Sequence, residues 1–149
     1  MEKLAIDPKA VDLAALVDRG ALLHGHLGPF LVAGIRMGLL ALELLRSPGY
    51  FGIRVESGTG FQTPLSCLTD GIQIGSGCTV GKGNLFVFND RVPRGRFFTD
   101  DGGAVEITLR PEALDDFRRG EIHAESRRTM ERPIEELFAW TVLSLPSTR

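Results

Sequence analysis

The stretch from Phe30 to Leu45 constrains this chain more than any other. It reads Phe-Leu-Val-Ala-Gly-Ile-Arg-Met-Gly-Leu-Leu-Ala-Leu-Glu-Leu-Leu, and only Arg36 and Glu43 are charged. Gly28-Pro29 opens it as a helix would open, and Ser47-Pro48-Gly49 closes it. The run is shorter than the ~20 apolar residues of a membrane span, and its two charges fall inside it. A helix buried in protein is the expected solution, and a membrane protein is excluded. Gly34 and Gly38 stand four apart within it. Each costs about 1 kcal/mol against alanine, which predicts a second backbone packed close to that face. Arg36 needs solvent or a carboxylate for its guanidinium. A structural ion pair is the first reading and contact with a bound ligand the second.

The flanking segments supply the other elements. Asp7-Pro8 predicts an earlier helix whose apolar side includes Val11, Leu13, Leu16 and Val17, with Gly20 as its stop. Gly52 to Ser57 alternates as a half-buried strand. Thr63-Pro64 predicts a short helix over 65–74, and the glycine-rich stretch 75–84 reads as a loop. Strands follow at 85–89, 95–99 and 104–110, the last two joined by the turn Asp100-Asp-Gly-Gly103. Pro111 starts a further short helix, a charged segment covers 118–132, and Pro133 opens a final helix to about Leu145. Segregated strands and helices favour an α+β fold, with an antiparallel meander covered on one face. No repeat or linker divides residues 1–149, so one domain is expected.

Composition removes several function classes. With 43% hydrophobic and 24% charged residues, 149 residues make a folded domain with a core. A net charge of −2 offers no footprint for nucleic acid. Arg118-Arg119 and Arg127-Arg128 alternate with Glu121, Glu125 and Glu131, as on a solvated face. Two cysteines and no leader-like start lead to the expectation of a cytoplasmic protein, in which a Cys67–Cys78 disulfide is disfavoured.

Four residues carry donor chemistry: His24 and His26 in His-Gly-His-Leu-Gly-Pro, with Cys67 and Cys78. Imidazole and thiolate are the donors zinc and similar ions prefer. Gly25 lets the chain bend around an ion, and a helix start near Cys67 would lower its thiol pKa. Asp70 lies three residues beyond Cys67 on the same helical face, placed to orient a histidine or cysteine. Cys78 sits among glycines whose amides could stabilise a thiolate, and Lys82 and Asn84 could hold a polar ligand nearby. Against this stand the plainer readings: His-x-His is a weak signal, and isolated cysteines are commonly small core residues. The glycine loop is not a nucleotide-binding P-loop. Ser76 replaces its first glycine, and Gly83 replaces the hydroxyl residue that would hold magnesium. His123, in the charged segment, is assigned no role.

Taken together, His24-Gly-His-Leu-Gly-Pro-Phe-Leu-Val-Ala-Gly-Ile-Arg36, Cys67-Leu-Thr-Asp-Gly-Ile-Gln73 and Gly77-Cys-Thr-Val-Gly-Lys-Gly-Asn-Leu85 resemble the FmdE family (FmdE/FwdE-like proteins of formylmethanofuran dehydrogenase) in order and spacing. The resemblance spans about residues 20–110. It implies a mixed sheet covered by helices, like the C-terminal catalytic domain of glyceraldehyde-3-phosphate dehydrogenase, and association with a molybdenum or tungsten enzyme. Many relatives carry a cysteine where this chain has Gly28, which removes one thiolate ligand. Some end in a zinc ribbon of paired cysteines, for which this sequence has none to spare.

The expectation is therefore a metal-binding protein, taking zinc or another divalent transition metal, accessory to formylmethanofuran or molybdoenzyme metabolism. His24, His26, Cys67 and Cys78 form the ligand pool, with His26 and Cys78 sharing the ion and Asp70, Lys82, Asn84 and Arg36 in support. A metal-free scaffold or binding protein and a thiol-dependent enzyme are the alternatives. Apolar residues around the whole circumference of the expected C-terminal helix, from Ile134 to Leu145, further predict a homodimer.

Overall fold

The computed structural model describes residues 2–147. Its elements are α1 (Leu13–His24), α2 (Pro29–Leu45), β1 (Ile53–Ser57), α3 (Cys67–Ser76), β2 (Leu85–Val87), β3 (Arg94–Thr99), β4 (Ala104–Leu109), α4 (Pro111–Arg119), α5 (Ile122–Glu131), α6 (Ile134–Leu137) and β5 (Phe138–Ser144). The five strands form one sheet in the order β2-β1-β3-β4-β5. Antiparallel pairing joins β1, β3, β4 and β5, while β2 lies parallel to β1. The sheet is thus mixed, and α3 is the crossover that parallel pairing of β1 with β2 requires. No helix is long and apolar enough to cross a membrane among the described residues.

Helix α2 is the centre of the molecule. Fourteen of its residues are buried, from Pro29 to Leu45. Its glycine face meets α3 backbone to backbone. A Cβ on Gly34 would stand 2.8 Å from Gly71 Cα, and one on Gly38 would stand 2.7 Å from Ser76 N. The glycines of α3 answer them: a Cβ on Gly71 would lie 2.7 Å from Gly34 Cα, and one on Gly75 2.9 Å from the Ile35 carbonyl carbon. This pairing holds α3, and with it Cys67 and Asp70, at a fixed height above the sheet.

Several boundaries differ from the sequence expectation. Asp12, not Asp7, caps α1 by accepting from Ala15 N at 3.2 Å, while Asp7 closes the preceding turn. Gly20 lies inside α1, packed where a Cβ would be 3.0 Å from Ile35 Cδ1, and the helix ends at left-handed Gly25 instead. Residues 63–66 form a turn, so α3 starts at Cys67 and continues through Gly75 and Ser76. The charged segment contains a helix, α5. Arg36 reaches the end of it rather than a carboxylate, donating to the carbonyls of Thr129 (2.9 Å) and Arg132 (2.5 Å). A half-buried guanidinium there satisfies carbonyls that a helix end leaves open.

The largest correction concerns the C-terminus. In place of a helix from Pro133 to Leu145, four residues of α6 lead into strand β5. Phe138, Trp140 and Val142 pair with Leu109, Ile107 and Val105, so they share one face of the sheet. Residues that fit no helical stripe fit a period of two. The helix on which the homodimer expectation rested does not exist. The apolar residues it left exposed lie at the end of an edge strand and just beyond it: Val142, Leu143 and Leu145.

Candidate functional site

Two helix ends meet at one cleft. His24 is the last residue of α1, and Gly25 at φ 100° turns the chain sharply after it. Cys67 and Asp70 occupy the first turn of α3. The ring nitrogen Nδ1 of His24 lies 2.6 Å from Asp70 Oδ2. A carboxylate accepts only, so Nδ1 carries a proton, and in the neutral ring Nε2 then keeps its lone pair. The His24 side chain is 10% exposed, and its Nε2 is covered with no hydrogen-bond partner. A covered nitrogen without a partner calls for a ligand or for a small local movement that supplies one.

His24, Cys67, Asp70 and Gln73 share a cleft of about 270 Å³ with Phe61 and Val80. His26 stands beside it, exposed, with its ring centroid 4.7 Å from that of His24 and its Nδ1 3.2 Å from the Leu27 carbonyl. Below the cleft lies a feature that sequence reasoning missed. The hydroxyls of Ser57, Thr59 and Thr69 form a buried cluster, with Thr69 Oγ1 2.7 Å from each of the other two. The available signal was the small polar run Ser57-Gly-Thr59 at the end of an apolar strand.

Cys78 is placed elsewhere. It follows Gly77 at the far end of α3, fully buried, and its thiol donates to the Ile53 carbonyl at 3.7 Å. Ile53 begins β1, whereas Ser57 at the other end of β1 bonds Thr69. The Cys78 thiol is therefore separated from the His24–Asp70 end of the cleft by roughly the length of β1, about 13 Å, although Val80, two residues on, lines the cleft wall. His26 beside the cleft and Cys78 at the far end of α3, expected to share an ion, are not brought together in this placement. Both cysteines are free, with α3 between them.

Lys82 and Asn84 belong to the Cys78 end. Lys82 Nζ donates to the Gly77 carbonyl at 2.6 Å, and Asn84 Nδ2 donates to the carbonyls of Tyr50 (2.9 Å) and Ile53 (3.2 Å). Lys82 braces the loop on itself and Asn84 ties it to the start of β1, and neither lines the cleft. Among the described residues, no group of three or more His, Cys, Asp or Glu side chains stands ready to hold a metal.

The thiols are also not activated as the helix field suggested. Burial pushes the Cys67 thiol up and nearby Asp70 adds to the effect, outweighing a backbone hydrogen bond that favours the thiolate. Burial raises Cys78 as well, against Ser76 and Lys82. Iodoacetamide should consequently label native Cys67 more slowly at pH 8 than the urea-unfolded chain, with the rate still climbing past pH 9.0, the ordinary value for the thiol. A native rate that levels off below pH 8 would contradict this.

Comparison with known proteins places this architecture. Residues 23–148 match the family described as FmdE, molybdenum formylmethanofuran dehydrogenase operon. The chain belongs to the FmdE family. Its fold is similar to that of a tungsten formylmethanofuran dehydrogenase FmdE-like protein from Syntrophus aciditrophicus, with a TM-score of 0.71 and 17% identity over 96% of this chain and 78% of that one. A probable S-adenosyl-L-methionine-binding protein of Archaeoglobus fulgidus is 32% identical over 80 residues, which cover 49% of this chain. The match spans 20% of that protein's length.

Proposed function

We propose that this chain is a metal-binding accessory protein of formylmethanofuran or related molybdenum- and tungsten-enzyme metabolism, taking zinc or a similar divalent ion at His24. The observation that supports this most is the buried Nε2 of His24, without a partner while Asp70 holds Nδ1. Carboxylate, imidazole and an open nitrogen in that order make up the usual support of a histidine ligand, since the carboxylate fixes the tautomer and raises the basicity of the free nitrogen. His26 and Cys67 supply the further donors. The donor types fit the ion, while the side chains do not yet form a closed shell. His26, exposed, with one 3.2 Å hydrogen bond and its ring against that of His24, is the residue free to turn inward.

Such a centre would supply Lewis-acid chemistry or a fixed anchor. The chain's own part is to hold the His24 tautomer, keep Cys67 protonated until an ion displaces the proton, and shield the cleft floor with buried hydroxyls. The raised Cys67 pKa counts against a thiol enzyme, whose nucleophile must be a thiolate at neutral pH.

Elemental analysis of untagged protein purified without chelators tests the proposal. Stoichiometric metal that disappears in His24→Ala and persists in Cys78→Ser is the expected result. Metal-free wild type, or metal lost only with Cys78, would overturn it. A metal-free result would leave a binding protein that uses the same cleft.

A further inference from the structure

We propose that the cleft at the start of α3 takes a small amine with a flat apolar body, its amino group against Asp70 and its body against Phe61. The inference deepens the reading above, because it concerns the same cleft, but it needs no metal.

The lining selects the charge of the ligand. Asp70 and His24 present acceptors, and among the described residues no lysine or arginine lines the cleft. A phosphate or carboxylate would meet the Asp70 carboxylate with no cation to offset it, and like charges at such range repel strongly. A ligand without polar groups would cover the carboxylate, which is 38% exposed, and leave the lone His24 nitrogen unanswered. An ammonium group, with several donors and a positive charge, satisfies both.

The walls select the body. Phe61 is 75% exposed and Val80 63%, so both present open apolar surface to a bound molecule. Both line the cleft, and an aromatic face attracts a cation as well as a ring. A cleft of about 270 Å³ suits a ligand of single-ring size.

The test uses the full chain, isotope-labelled, stripped of metal with a chelator and titrated by NMR with benzylamine, benzyl alcohol and benzoate. Benzylamine should bind saturably and shift the signals of His24 and Phe61, with benzyl alcohol weaker and benzoate silent. Asp70→Asn should weaken benzylamine about tenfold or more, as expected for loss of a charge-assisted hydrogen bond. Phe61→Ala, a change on the surface that leaves the fold intact, should weaken it as well. Benzoate binding as well as benzylamine, an unchanged benzylamine affinity in either folded variant, or no response to any probe would each overturn the inference. Protein that holds metal yet ignores benzylamine refutes this inference alone. Stripped protein that binds benzylamine but never takes up metal refutes the metal reading alone.

Discussion

Replacing Gly34 by alanine should destabilise the protein by about 2–3 kcal/mol and lower its melting temperature by roughly 5–10 °C. Two effects of opposite sign compete. Helix propensity favours alanine by about 1 kcal/mol. Against it, the new Cβ would enter the α3 backbone, 2.8 Å from Gly71 Cα and 2.9 Å from Ile72 N, with the Leu68 carbonyl nearer still. A flexible side chain could yield to such a contact, but helix backbone cannot, so the steric cost wins. Side chains usually hold helix axes ~8–10 Å apart, and relief would require α3 to retreat from α2 as a unit. Gly71→Ala should cost as much for the same reason. The double variant should cost less than the sum, because one retreat accommodates both methyl groups. Gly81, where an added Cβ meets nothing within 4 Å, is the control and should melt within about 0.5 kcal/mol of wild type. A Gly34→Ala protein that melts with the control would remove the close-packing account of the α2–α3 pair.

That pairing shows what could be read from sequence. Two glycines in an otherwise apolar helix carry a cost that only close packing offsets, so Gly34 and Gly38 announced a neighbour, though not which one. The partner glycines, Gly71 and Gly75, lay on α3 in plain view, but Gly75 was read as the start of a loop. Strands β1, β3 and β4 were legible because each has one buried face and so alternates. Helix α1 was displaced because Asp7 and Asp12 are both competent caps, and local sequence does not choose between them. Gly20 looked like a stop because its reason for being glycine, the Ile35 methyl, belongs to another helix. The strand β5 was missed although Phe138 and Trp140 pointed to opposite sides of any helix. That observation was itself the period-two signal.

The site was legible in part for a related reason. His24, Cys67 and Asp70 sit at helix ends, and helix α3 carries two of them together. Cys78 was grouped with them because a cysteine among glycines resembles a ligand loop wherever the loop lies. Only the run of α3 along β1 shows that it leads away from His24. Arg36 was expected to find a carboxylate, but a helix end offers acceptors just as well. Burial lowers its pKa from the ordinary value, with Glu135 partly offsetting that.

Asp70→Asn should weaken metal binding by about 10–100-fold while leaving the fold intact. The carboxylate at 2.6 Å requires the proton on His24 Nδ1 and so reserves Nε2 for a ligand. An asparagine can present its oxygen or its amide group to that nitrogen, and when the amide faces it the proton moves to Nε2, which then cannot coordinate. The charge that makes Nε2 more basic is lost in either orientation. A second readout follows from the same substitution. Asp70 is one of the causes that raise the Cys67 thiol, so removing its charge should lower that pKa. At pH 8, below the raised value, a lower pKa means more thiolate, and iodoacetamide should label the variant faster than wild type. Burial, the larger cause, remains, so the variant should still react more slowly than the unfolded chain. The two readouts separate two roles for the carboxylate. Faster labelling with unchanged zinc affinity would mean that Asp70 is near Cys67 but does not set the His24 tautomer, and the metal reading would lose its support at His24. Weaker metal binding with faster labelling, together with nitrogen chemical shifts that move the His24 proton from Nδ1 towards Nε2, is the result expected if one carboxylate does both.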